Sequence, residues 1–390
     1  MFSKMAQAVT GNILMVLEAE KRKIEGVGGT VINLSAGTPD LPPDVRVMET
    51  LARESLNPEN YRYAISDSPE LTEAVAAWYK RRFSVDLLPE QITSVYGSQE
   101  GLTHIAFPLC DPGDIVLVPD PGYPIFSFGP AMAGARVCPI PLKRENGFIM
   151  DLDAIDPALA DKARLMIVSY PNNPCTARAT PEFYEKLVRF AKRHDIFVIH
   201  DNAYCELVLD GEPGGSFLAV EGASDIGIEF NSLSKSYNLT GMRMSFALGN
   251  RKVIEAFKTF RSQIDYGPFV PIQKAAIAAI TGPQDILDNN RRAYRERRDA
   301  LCAGLREIGW PVPNCDSTMF TWFPLPDGYT DDVDFTFKLL RETGIICVPG
   351  SSFGEMGKGF LRFALVQPVP VLKRAVELIR ATGIIGGGKR

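Results

Sequence analysis

The sequence predicts an α/β protein that has a large domain with a mostly parallel central sheet covered by helices and a smaller α+β domain. Between about Pro89 and Gly249, short apolar runs alternate with helical patterns. Such near-continuous apolar runs are typical of strands that are buried on both faces of a parallel sheet. After Pro283 this alternation stops, and a long charged helix and a strand region rich in proline follow.

In the first part of the chain, five apolar runs are the clearest strand candidates, and a sixth strand ends near Val95-Tyr96. The five runs are Ile115 to Val118, Leu165 to Ser169, Phe197 to His200, Gly227 to Phe230 and Met244 to Leu248. The helical pattern from Pro181 to His194 lies between two of them. Pro181 suits the first turn of a helix after Thr180, because proline lacks only an N–H that would have no partner there.

In the second part, helices and strands are mixed without the earlier alternation. The predicted elements are a helix from Asn290 to Ile308, a strand region from Pro311 to Pro326, a helix from Asp334 to Thr343, strands from Ile345 to Val348 and from Phe360 to Leu365, a last helix from about Pro370, and a tail from Gly386 to Arg390. A chain of 390 residues is also too long for one ordinary domain. We therefore predict a large domain over 36–282 and a small domain formed by 1–35 and 283–390.

Composition excludes several classes of function. The formal net charge of -5 and the lack of a basic tract argue against nucleic acid binding. The seven cysteines are dispersed without a CxxC pair, and the three histidines have no metal-ligand spacing, so neither a disulfide framework nor a metal site is expected. No apolar run reaches the roughly 18 residues that a membrane span needs. These features predict a cytoplasmic protein without a metal ion.

Polar, turn-forming residues follow five of the six predicted strands of the large domain. In open parallel sheets, ligands bind beyond the carboxyl ends of the strands. The segments at those ends are Gly97-Ser98-Gln99-Glu100, Pro119-Asp120-Pro121-Gly122-Tyr123, Tyr170-Pro171-Asn172-Asn173-Pro174, His200-Asp201-Asn202-Ala203-Tyr204 and Asn231-Ser232-Leu233-Ser234-Lys235. Five strand ends therefore bring such residues to one edge of the sheet, which predicts a composite site there.

The ordered set of motifs resembles the class I and II aminotransferases, a family of fold-type-I enzymes that use pyridoxal 5′-phosphate. Ser232-Leu233-Ser234-Lys235 with Gly241-Met242-Arg243 is similar to the lysine signature of this family. Asn172-Asn173-Pro174, Asp201 to Tyr204, Pro121-Gly122-Tyr123 and Arg362 match its other landmarks in the same order. The segments Tyr61-Arg62-Tyr63-Ala64 and Gly97-Ser98-Gln99-Glu100 resemble the subgroup of LL-diaminopimelate, alanine and aspartate aminotransferases.

The resemblance implies that Lys235 forms a Schiff base with pyridoxal 5′-phosphate and then moves the proton during transamination. It implies that Asp201 keeps the pyridine nitrogen protonated and that Tyr204 and Asn173 bind the 3′-oxygen. For each of these residues an ordinary role is the alternative. Lys235 is then a solvated loop lysine, Asp201 and Asn173 belong to turns, and Tyr204 is a core aromatic.

The phosphate of the cofactor needs several donors. The family pattern implies Ser98 and Gln99 at a helix start, Ser232, Ser234 and Arg243 for this task, with Tyr123 against the pyridine ring. Without the resemblance, Gly97-Ser98 is a simple helix cap.

Two further roles concern the substrate and the partner subunit. The resemblance implies that Arg362, assisted by the backbone at Gly37, binds the substrate carboxylate; a structural ion pair is the alternative for this cation in an apolar strand. It also implies a homodimer in which Tyr63 reaches the cofactor phosphate of the neighbouring subunit.

Two departures from the family pattern bear on the site. Cys175-Thr176 stands where the family usually has Thr-Gly, which predicts a different turn or a reshaped loop over the cofactor. Asp67-Ser68 replaces the usual glycine before Pro69-Glu70-Leu71, so the loop that carries Tyr63 is expected to differ.

The predicted activity is ping-pong transamination between an L-amino acid and a 2-oxo acid, with glutamate and 2-oxoglutarate as one pair. LL-diaminopimelate, alanine, aspartate or an aromatic amino acid remains open as the other partner. A β-lyase or decarboxylase on the same fold would share every cofactor residue. An NAD-dependent dehydrogenase is disfavoured because Gly26 to Gly29 is not a GxGxxG motif after a clear strand.

Overall fold

The structure is a computed structural model that describes residues 2 and 13–385. The predicted tail of residues 386–390 and most of the first twelve residues of the predicted small domain lie outside the described residues. In the described part, the α-helices are α1 (Ile13–Gly26), α2 (Val45–Ser55), α3 (Pro69–Phe83), α4 (Ser98–His104), α5 (Ile125–Met132), α6 (Pro157–Ala160), α7 (Pro181–His194), α8 (Ala223–Ile226), α9 (Leu233–Ser236), α10 (Arg251–Arg261), α11 (Val270–Thr281), α12 (Asp285–Glu307), α13 (Asp332–Thr343) and α14 (Val369–Thr382).

The strands of the same part form three sheets. They are β1 (Ile32–Asn33), β2 (Ile92–Val95), β3 (Ile115–Asp120), β4 (Arg136–Pro141), β5 (Ala163–Ser169), β6 (Phe197–Asp201), β7 (Gly227–Ser232), β8 (Ser245–Gly249), β9 (Phe320–Pro324), β10 (Ile345–Ile346), β11 (Val348–Pro349) and β12 (Phe360–Ala364). No helix in the described ranges is long and apolar enough to cross a membrane.

The central sheet has seven strands in the order β2-β8-β7-β6-β5-β3-β4. All strands run parallel except β8, which is antiparallel to both of its neighbours. Alternate residues of β5 enter different hydrophobic cores: Leu165 and Ile167 pack on one face, and Met166 and Val168 pack on the other. Burial on both faces explains why the strands read as continuous apolar runs, and the predicted α/β fold is confirmed.

The two smaller sheets contain the other strands. An antiparallel sheet has the order β11-β12-β9, and β1 pairs in parallel with β10. Leu17 of α1 packs against Leu340 of α13 and Ile346 of β10. The described residues before position 36 therefore contact elements after position 283, although the division into two domains stays a prediction.

Several element boundaries differ from those predicted. Helix α7 begins and ends where the sequence predicts, and the Thr180 hydroxyl caps it by accepting from the Phe183 N–H at 3.3 Å. Strand β4 was not predicted because it contains Pro139 and Pro141, which are tolerated only because β4 is the edge strand of the sheet.

The predicted strand from Ile345 to Val348 is in fact two short strands. Its first part, β10, pairs with β1, whereas β11 pairs with β12 in the antiparallel sheet. The apolar pattern is continuous across both because both are buried. Within the predicted strand region from Pro311 to Pro326, the structure forms one regular strand, β9.

Candidate active site

Lys235 lies in the short helix α9, directly after the central strand β7. Its Nζ donates a hydrogen bond to the carbonyl oxygen of Gly37 at 2.5 Å. Burial, together with the nearby cations Arg243 and Arg362, lowers the pKa of Lys235 to about 8. A lysine with this pKa is partly neutral near physiological pH, which is the form that attacks carbonyl carbons and accepts protons.

Asp201 is the last residue of β6, beside β7 in the sheet, and its side chain is buried. Its Oδ1 atom has no hydrogen-bond partner among the described residues. Burial raises the pKa of Asp201 to about 6, although the His200 side chain and the Ala203 N–H partly oppose this rise. A buried carboxylate oxygen without a partner is costly, and a cationic nitrogen placed against it would remove that cost.

Arg362 lies in β12 and is only 6% exposed. Its Nη1 donates to Asn173 Oδ1 at 2.8 Å, and its Nη2 donates to the Ser35 carbonyl oxygen at 3.0 Å. The guanidinium carbon lies 4.1 Å from the ring centre of Phe320 and 4.7 Å from that of Phe353.

The electrostatics of Arg362 are those of a cation without a counter-ion. Burial lowers its pKa to about 10, and its Nε has no hydrogen-bond partner in the described part of the chain. The oxygens that it does contact are neutral, and none of the acids that the structure describes forms an ion pair with it. The guanidinium can therefore still accept a carboxylate ligand.

Asn173 and Tyr204 lie close to Arg362. Asn173 accepts the arginine's hydrogen bond, and Tyr204 is buried with its ring 5.9 Å from that of Phe320. Burial raises the pKa of Tyr204, while the charge of Arg362 acts in the opposite direction. The tyrosine is thus held as a neutral phenol that can donate a hydrogen bond.

Arg243 approaches the backbone at the start of α4. Its Nη1 donates to the Thr240 carbonyl at 3.0 Å, and its Nη2 donates to the Tyr96 carbonyl at 3.1 Å. Gly97 has a φ of +92°, and a Cβ atom there would overlap the guanidinium. Only glycine therefore allows this arginine to lie so close to the helix start.

Ser98 and Gln99 form the first turn of α4, as predicted from the sequence. Ser98 Oγ is buried and has no hydrogen-bond partner among the described residues. Gln99 Oε1 accepts a hydrogen bond from the Tyr123 hydroxyl at 2.7 Å. Burial raises the pKa of Tyr123, with the charge of Asp201 as a smaller cause in the same direction. These contacts join the ends of β2 and β3 to the environment of Asp201.

Ser232 and Ser234 flank the start of α9. Ser232 Oγ accepts from the Ser234 N–H at 3.1 Å and from the Ser245 hydroxyl at 2.7 Å. Both serines are buried. Ser232 thus caps the short helix that carries Lys235, and this is a structural task in addition to any contact with a ligand.

Tyr63 differs from the other predicted site residues. Its side chain is 83% exposed, and its ring packs on that of Tyr266 at 5.2 Å between centres. No direct contact between Tyr63 and another predicted site residue is seen in the described chain; the link is indirect, because the Tyr266 carbonyl accepts from the Tyr96 hydroxyl at 2.9 Å and the Tyr96 carbonyl accepts from Arg243. A single chain therefore brings together the other predicted residues but leaves Tyr63 at the surface.

The residues present fit a bound pyridoxal phosphate. Three buried polar atoms without partners in the described ranges belong to residues predicted for the cofactor or the substrate: Ser98 Oγ, Asp201 Oδ1 and Arg362 Nε. In addition, the cluster offers a lysine of lowered pKa, and Arg243 for a phosphate. Amine, acid and cation are the groups that the aldehyde, ring nitrogen and phosphate of this cofactor need.

In the turn at Cys175-Thr176, the second residue lies in the left-handed region of backbone conformation, which favours glycine. Thr176 has a φ of +62°, and its N–H donates to the Asn172 carbonyl at 2.9 Å. The Cys175 N–H donates to Asn172 Oδ1 at 3.0 Å. The chain thus forms this turn with a β-branched residue in the left-handed region, which is an unfavourable conformation for threonine.

Phe320, Phe353 and Ser35 contact Arg362 but were not predicted from the sequence. An aromatic residue in an apolar strand is expected in the core, so Phe320 gave no functional signal. Ser35 acts through its carbonyl oxygen, which every residue has. Within this stretch of sequence, the polar residues Asn33 and Ser35 after a short apolar run are the local feature that could have pointed to a contact with the site.

Comparisons with known proteins agree on one family. A sequence model described as aminotransferase class I and II matches residues 29–379. The LL-diaminopimelate aminotransferase of Moorella thermoacetica is 42% identical over 367 residues, which cover 94% of this chain and 93% of that protein. The LL-diaminopimelate aminotransferase of Aquifex aeolicus is 40% identical over 367 residues, with 93% of this chain and 95% of that protein covered.

Solved structures are similar over nearly the whole chain. The substrate-bound structure of BacF from Bacillus subtilis has a TM-score of 0.94 and 37% identity, covering 98% of this chain and 97% of that one. A probable N-succinyldiaminopimelate aminotransferase from Thermus thermophilus has a TM-score of 0.89 and 33% identity, covering 95% of this chain and all of that one.

Proposed function

Because the chain belongs to the class I and II aminotransferase family and is a pyridoxal phosphate-dependent aminotransferase, we propose that Lys235 carries the cofactor and that LL-diaminopimelate and 2-oxoglutarate are the substrate pair. The observation that carries the choice of substrate is the 40–42% identity, over more than nine-tenths of the chain, to proteins that are LL-diaminopimelate aminotransferases. The substrates are small amino acids and 2-oxo acids.

When bound, pyridoxal phosphate withdraws electrons from the α-carbon of an attached amino acid and so makes its proton removable. In the proposal, the Lys235 amine takes that proton from the α-carbon and would then deliver it to the cofactor. Its pKa of about 8 suits this exchange, because a catalytic base works best with a pKa near the working pH.

Asp201 would hold a proton on the ring nitrogen. Its unpartnered, buried Oδ1 can accept a hydrogen bond from a cationic N–H, and the ion pair would restore the carboxylate to its charged form. The Tyr204 hydroxyl and the Asn173 amide would bind the 3′-oxygen, and the ring of Tyr123 would lie against the cofactor. Ser98, Gln99, Ser232, Ser234 and Arg243 would bind the phosphate.

Arg362 would bind the α-carboxylate of either substrate, with the backbone at Gly37 alongside it. The rings of Phe320 and Phe353 exclude water from one part of its surroundings. In such a dry site an arginine–carboxylate pair is stronger and better oriented than in water. The same pair would select for amino acids and 2-oxo acids, both of which carry the carboxylate.

A homodimer with shared sites completes the proposal. Several large apolar side chains of two neighbouring loops are exposed in the single chain; they are Tyr61, Tyr63, Ile65, Ile264 and Tyr266. Tyr63 packs on Tyr266, so the two loops form one surface. Contiguous exposed apolar surface is typical of subunit interfaces. This supports the prediction that Tyr63 reaches the partner's cofactor phosphate. The cytoplasmic location also stays a prediction.

The test is a half-reaction followed by visible absorbance. The cofactor-loaded protein is mixed separately with LL-diaminopimelate, meso-diaminopimelate, L-alanine, L-aspartate and L-glutamate, and then with 2-oxoglutarate. We expect LL-diaminopimelate and glutamate to convert the cofactor to its amino form fastest. The meso isomer, which differs at one stereocentre, is the matched control. Faster conversion by alanine or aspartate would overturn the proposal that LL-diaminopimelate is the substrate. L-cystathionine, which carries a sulfur leaving group on its β-carbon, is added as a further donor: release of homocysteine, pyruvate and ammonia from it without the amino form would instead indicate a lyase.

A further inference from the structure

Asp120, the last residue of β3, joins the large sheet to a loop of the antiparallel sheet. Its Oδ1 accepts a hydrogen bond from the Met356 N–H at 3.1 Å, and the Glu355 N–H also donates to its carboxylate. Nearby, the Gly122 N–H donates to the Phe353 carbonyl at 2.8 Å. Two hydrogen bonds to the Asp120 side chain and one between backbone groups therefore connect the end of β3 to residues 353–356, more than two hundred positions later.

The approach of the loop to Asp120 depends on one glycine. Gly354 has a φ of +131°, which side chains rarely allow, and a Cβ atom there would overlap the Asp120 carboxylate. On its other side the loop is attached to helix α13, because Asp332 at the start of that helix accepts from the Ser351 N–H at 2.7 Å. The loop thus lies between two buried carboxylates on different parts of the fold.

The electrostatics of Asp120 are unusual for a purely structural acid. It is 8% exposed, and none of the cations that the structure describes forms an ion pair with it. Burial raises its pKa, and its backbone hydrogen bonds to Met356 and Glu355 oppose that rise. Burying a carboxylate costs free energy, and in the described chain the N–H groups of this remote loop are what offset that cost for Asp120. We therefore interpret the carboxylate as a group that holds the loop in place.

The loop that Asp120 holds reaches the candidate substrate site. Phe353 lies 4.7 Å from the guanidinium of Arg362, and its ring is 6.0 Å from that of Trp322. A shift of residues 353–356 away from β3 would move this ring from Arg362. Water would then reach the guanidinium, and its bond to a carboxylate would weaken.

We propose that Asp120 is a positioning residue for the substrate carboxylate: it holds the 353–356 loop at the end of β3 and so keeps Phe353 on Arg362. This inference rests on the proposed role of Arg362. The Asp120 carboxylate contacts the loop backbone at Met356 and Glu355, and no hydrogen bond in the described chain joins it to a residue that is proposed to bind the cofactor. Its effect should therefore appear in the affinity for substrate and not in the cofactor.

The test compares Asp120→Ala with Asp331→Ala in the cofactor-loaded enzyme. Asp331 is the matched control, since its carboxylate also accepts two backbone N–H bonds, from Val333 and Asp334, but only within its own helix start. The ligand is 2-methylglutamate, which binds as an amino acid but has no α-proton to lose. Its Kd is measured from visible absorbance, alongside KM and kcat for glutamate.

We expect Asp120→Ala to raise both the Kd of 2-methylglutamate and the KM of glutamate by about tenfold or more. The absorbance of the cofactor and kcat at saturation should stay within about threefold of the wild type. Asp120→Asn should give a smaller change, because an amide keeps one acceptor oxygen. Asp331→Ala should lower the melting temperature without changing Kd or KM. Equal Kd and KM in Asp120→Ala and the wild type would overturn the inference.

A second measurement covers the possibility that Asp120→Ala does not fold. Hydrogen exchange of the Glu355 and Met356 amides should be slow in the wild type and faster in Asp120→Asn. Fast exchange in the wild type would also overturn the inference. Arg362→Lys separates the two proposals. If this variant leaves the Kd of 2-methylglutamate unchanged, the proposed function of Arg362 fails. If Arg362→Lys raises that Kd but Asp120→Ala does not, only the inference about Asp120 is contradicted.

Discussion

The Nη1 of Arg362 donates a hydrogen bond to Asn173 Oδ1 at 2.8 Å, although 189 positions separate the two residues. Arg362 belongs to the antiparallel sheet, whereas Asn173 lies in the loop after β5 of the central sheet. The bond therefore joins two sheets at the candidate site. Since the other partner of Arg362 is a backbone carbonyl, its positive charge is not neutralised within the described chain.

Arg362→Lys should lower kcat/KM for amino acids and 2-oxo acids by about 10²-fold, mainly through KM. Lysine keeps the charge but cannot form the planar pair of hydrogen bonds to a carboxylate, which we expect to cost about 2–3 kcal/mol. Steady-state kinetics check this, and unchanged visible absorbance of the loaded protein is the control for cofactor binding. A KM equal to that of the wild type for every substrate would show that Arg362 binds no carboxylate.

Asp201→Asn should stabilise the cofactor-free protein above pH 6. The pKa of Asp201 is raised from 3.8 to about 6 by burial. Between these values the folded state keeps a proton that the unfolded state has lost, so stability falls as pH rises through this window and stays lower above it. A difference of roughly two pKa units corresponds to about 3 kcal/mol. Asparagine cannot ionise, so the free energy of unfolding of the variant does not fall as the pH rises through this window.

Thermal unfolding at several pH values between about 4.5 and 8 measures this effect. The gain in Asp201→Asn over the wild type should increase with pH, and it should disappear when cofactor is added, because the variant lacks the ion pair to the ring nitrogen. Asp327→Asn, at an exposed loop position, is the control. A gain that does not change with pH would contradict the assignment of the raised pKa to Asp201.

Thr176→Gly should stabilise the protein by about 1 kcal/mol, because a side chain in the left-handed region costs roughly 1–2 kcal/mol and glycine avoids it. The backbone contacts of the turn do not depend on the side chain: the Thr176 carbonyl accepts from the Ser317 hydroxyl at 2.6 Å. Urea unfolding gives the free energy. Thr180→Gly is the matched control, since Thr180 has a φ of -92° and caps a helix. Stabilisation by both variants, or by neither, would argue against strain at Thr176.

A mixture of two inactive variants should regain activity if sites are shared. In a heterodimer of Lys235→Ala and Tyr63→Ala chains, one site has both residues intact. Random exchange of subunits should therefore restore about a quarter of the wild-type activity at most. Each variant alone, unfolded and refolded in the same way, is the control. No recovery after confirmed subunit exchange would place Tyr63 outside the partner's site.

The sequence predicted the parts of the fold that repeat a simple pattern. Strands β5, β6 and β7 are buried on both faces, and helix α7 has a clear cap and periodicity, so each was identified near its observed ends. Strand β4 was missed because its prolines are tolerated only at the sheet edge. The separation of β10 from β11 depends on which distant strand each one pairs with, and local sequence does not contain that information.

The candidate site follows the same division. Its motifs predicted Lys235 and Asp201 at the strand ends, where the topology of a parallel sheet brings them together, and the family resemblance added Arg243. The wall around Arg362 is formed by Phe320 and Phe353, and the contact of Asp120 with Met356 joins remote segments. Those contacts depend on how the sheets pack on each other, for which the residues themselves give no periodic or spacing signal.

The most direct test of the central claim identifies the residue that bonds to the cofactor. The protein loaded with pyridoxal phosphate is reduced with borohydride, which fixes the bond between the lysine and the cofactor, and is then digested and analysed by mass spectrometry. We predict the added pyridoxyl mass on the peptide that contains Lys235, no label in Lys235→Ala, and loss of turnover in that variant with an unchanged far-UV spectrum. A label on another lysine, or normal turnover in Lys235→Ala, would contradict the account.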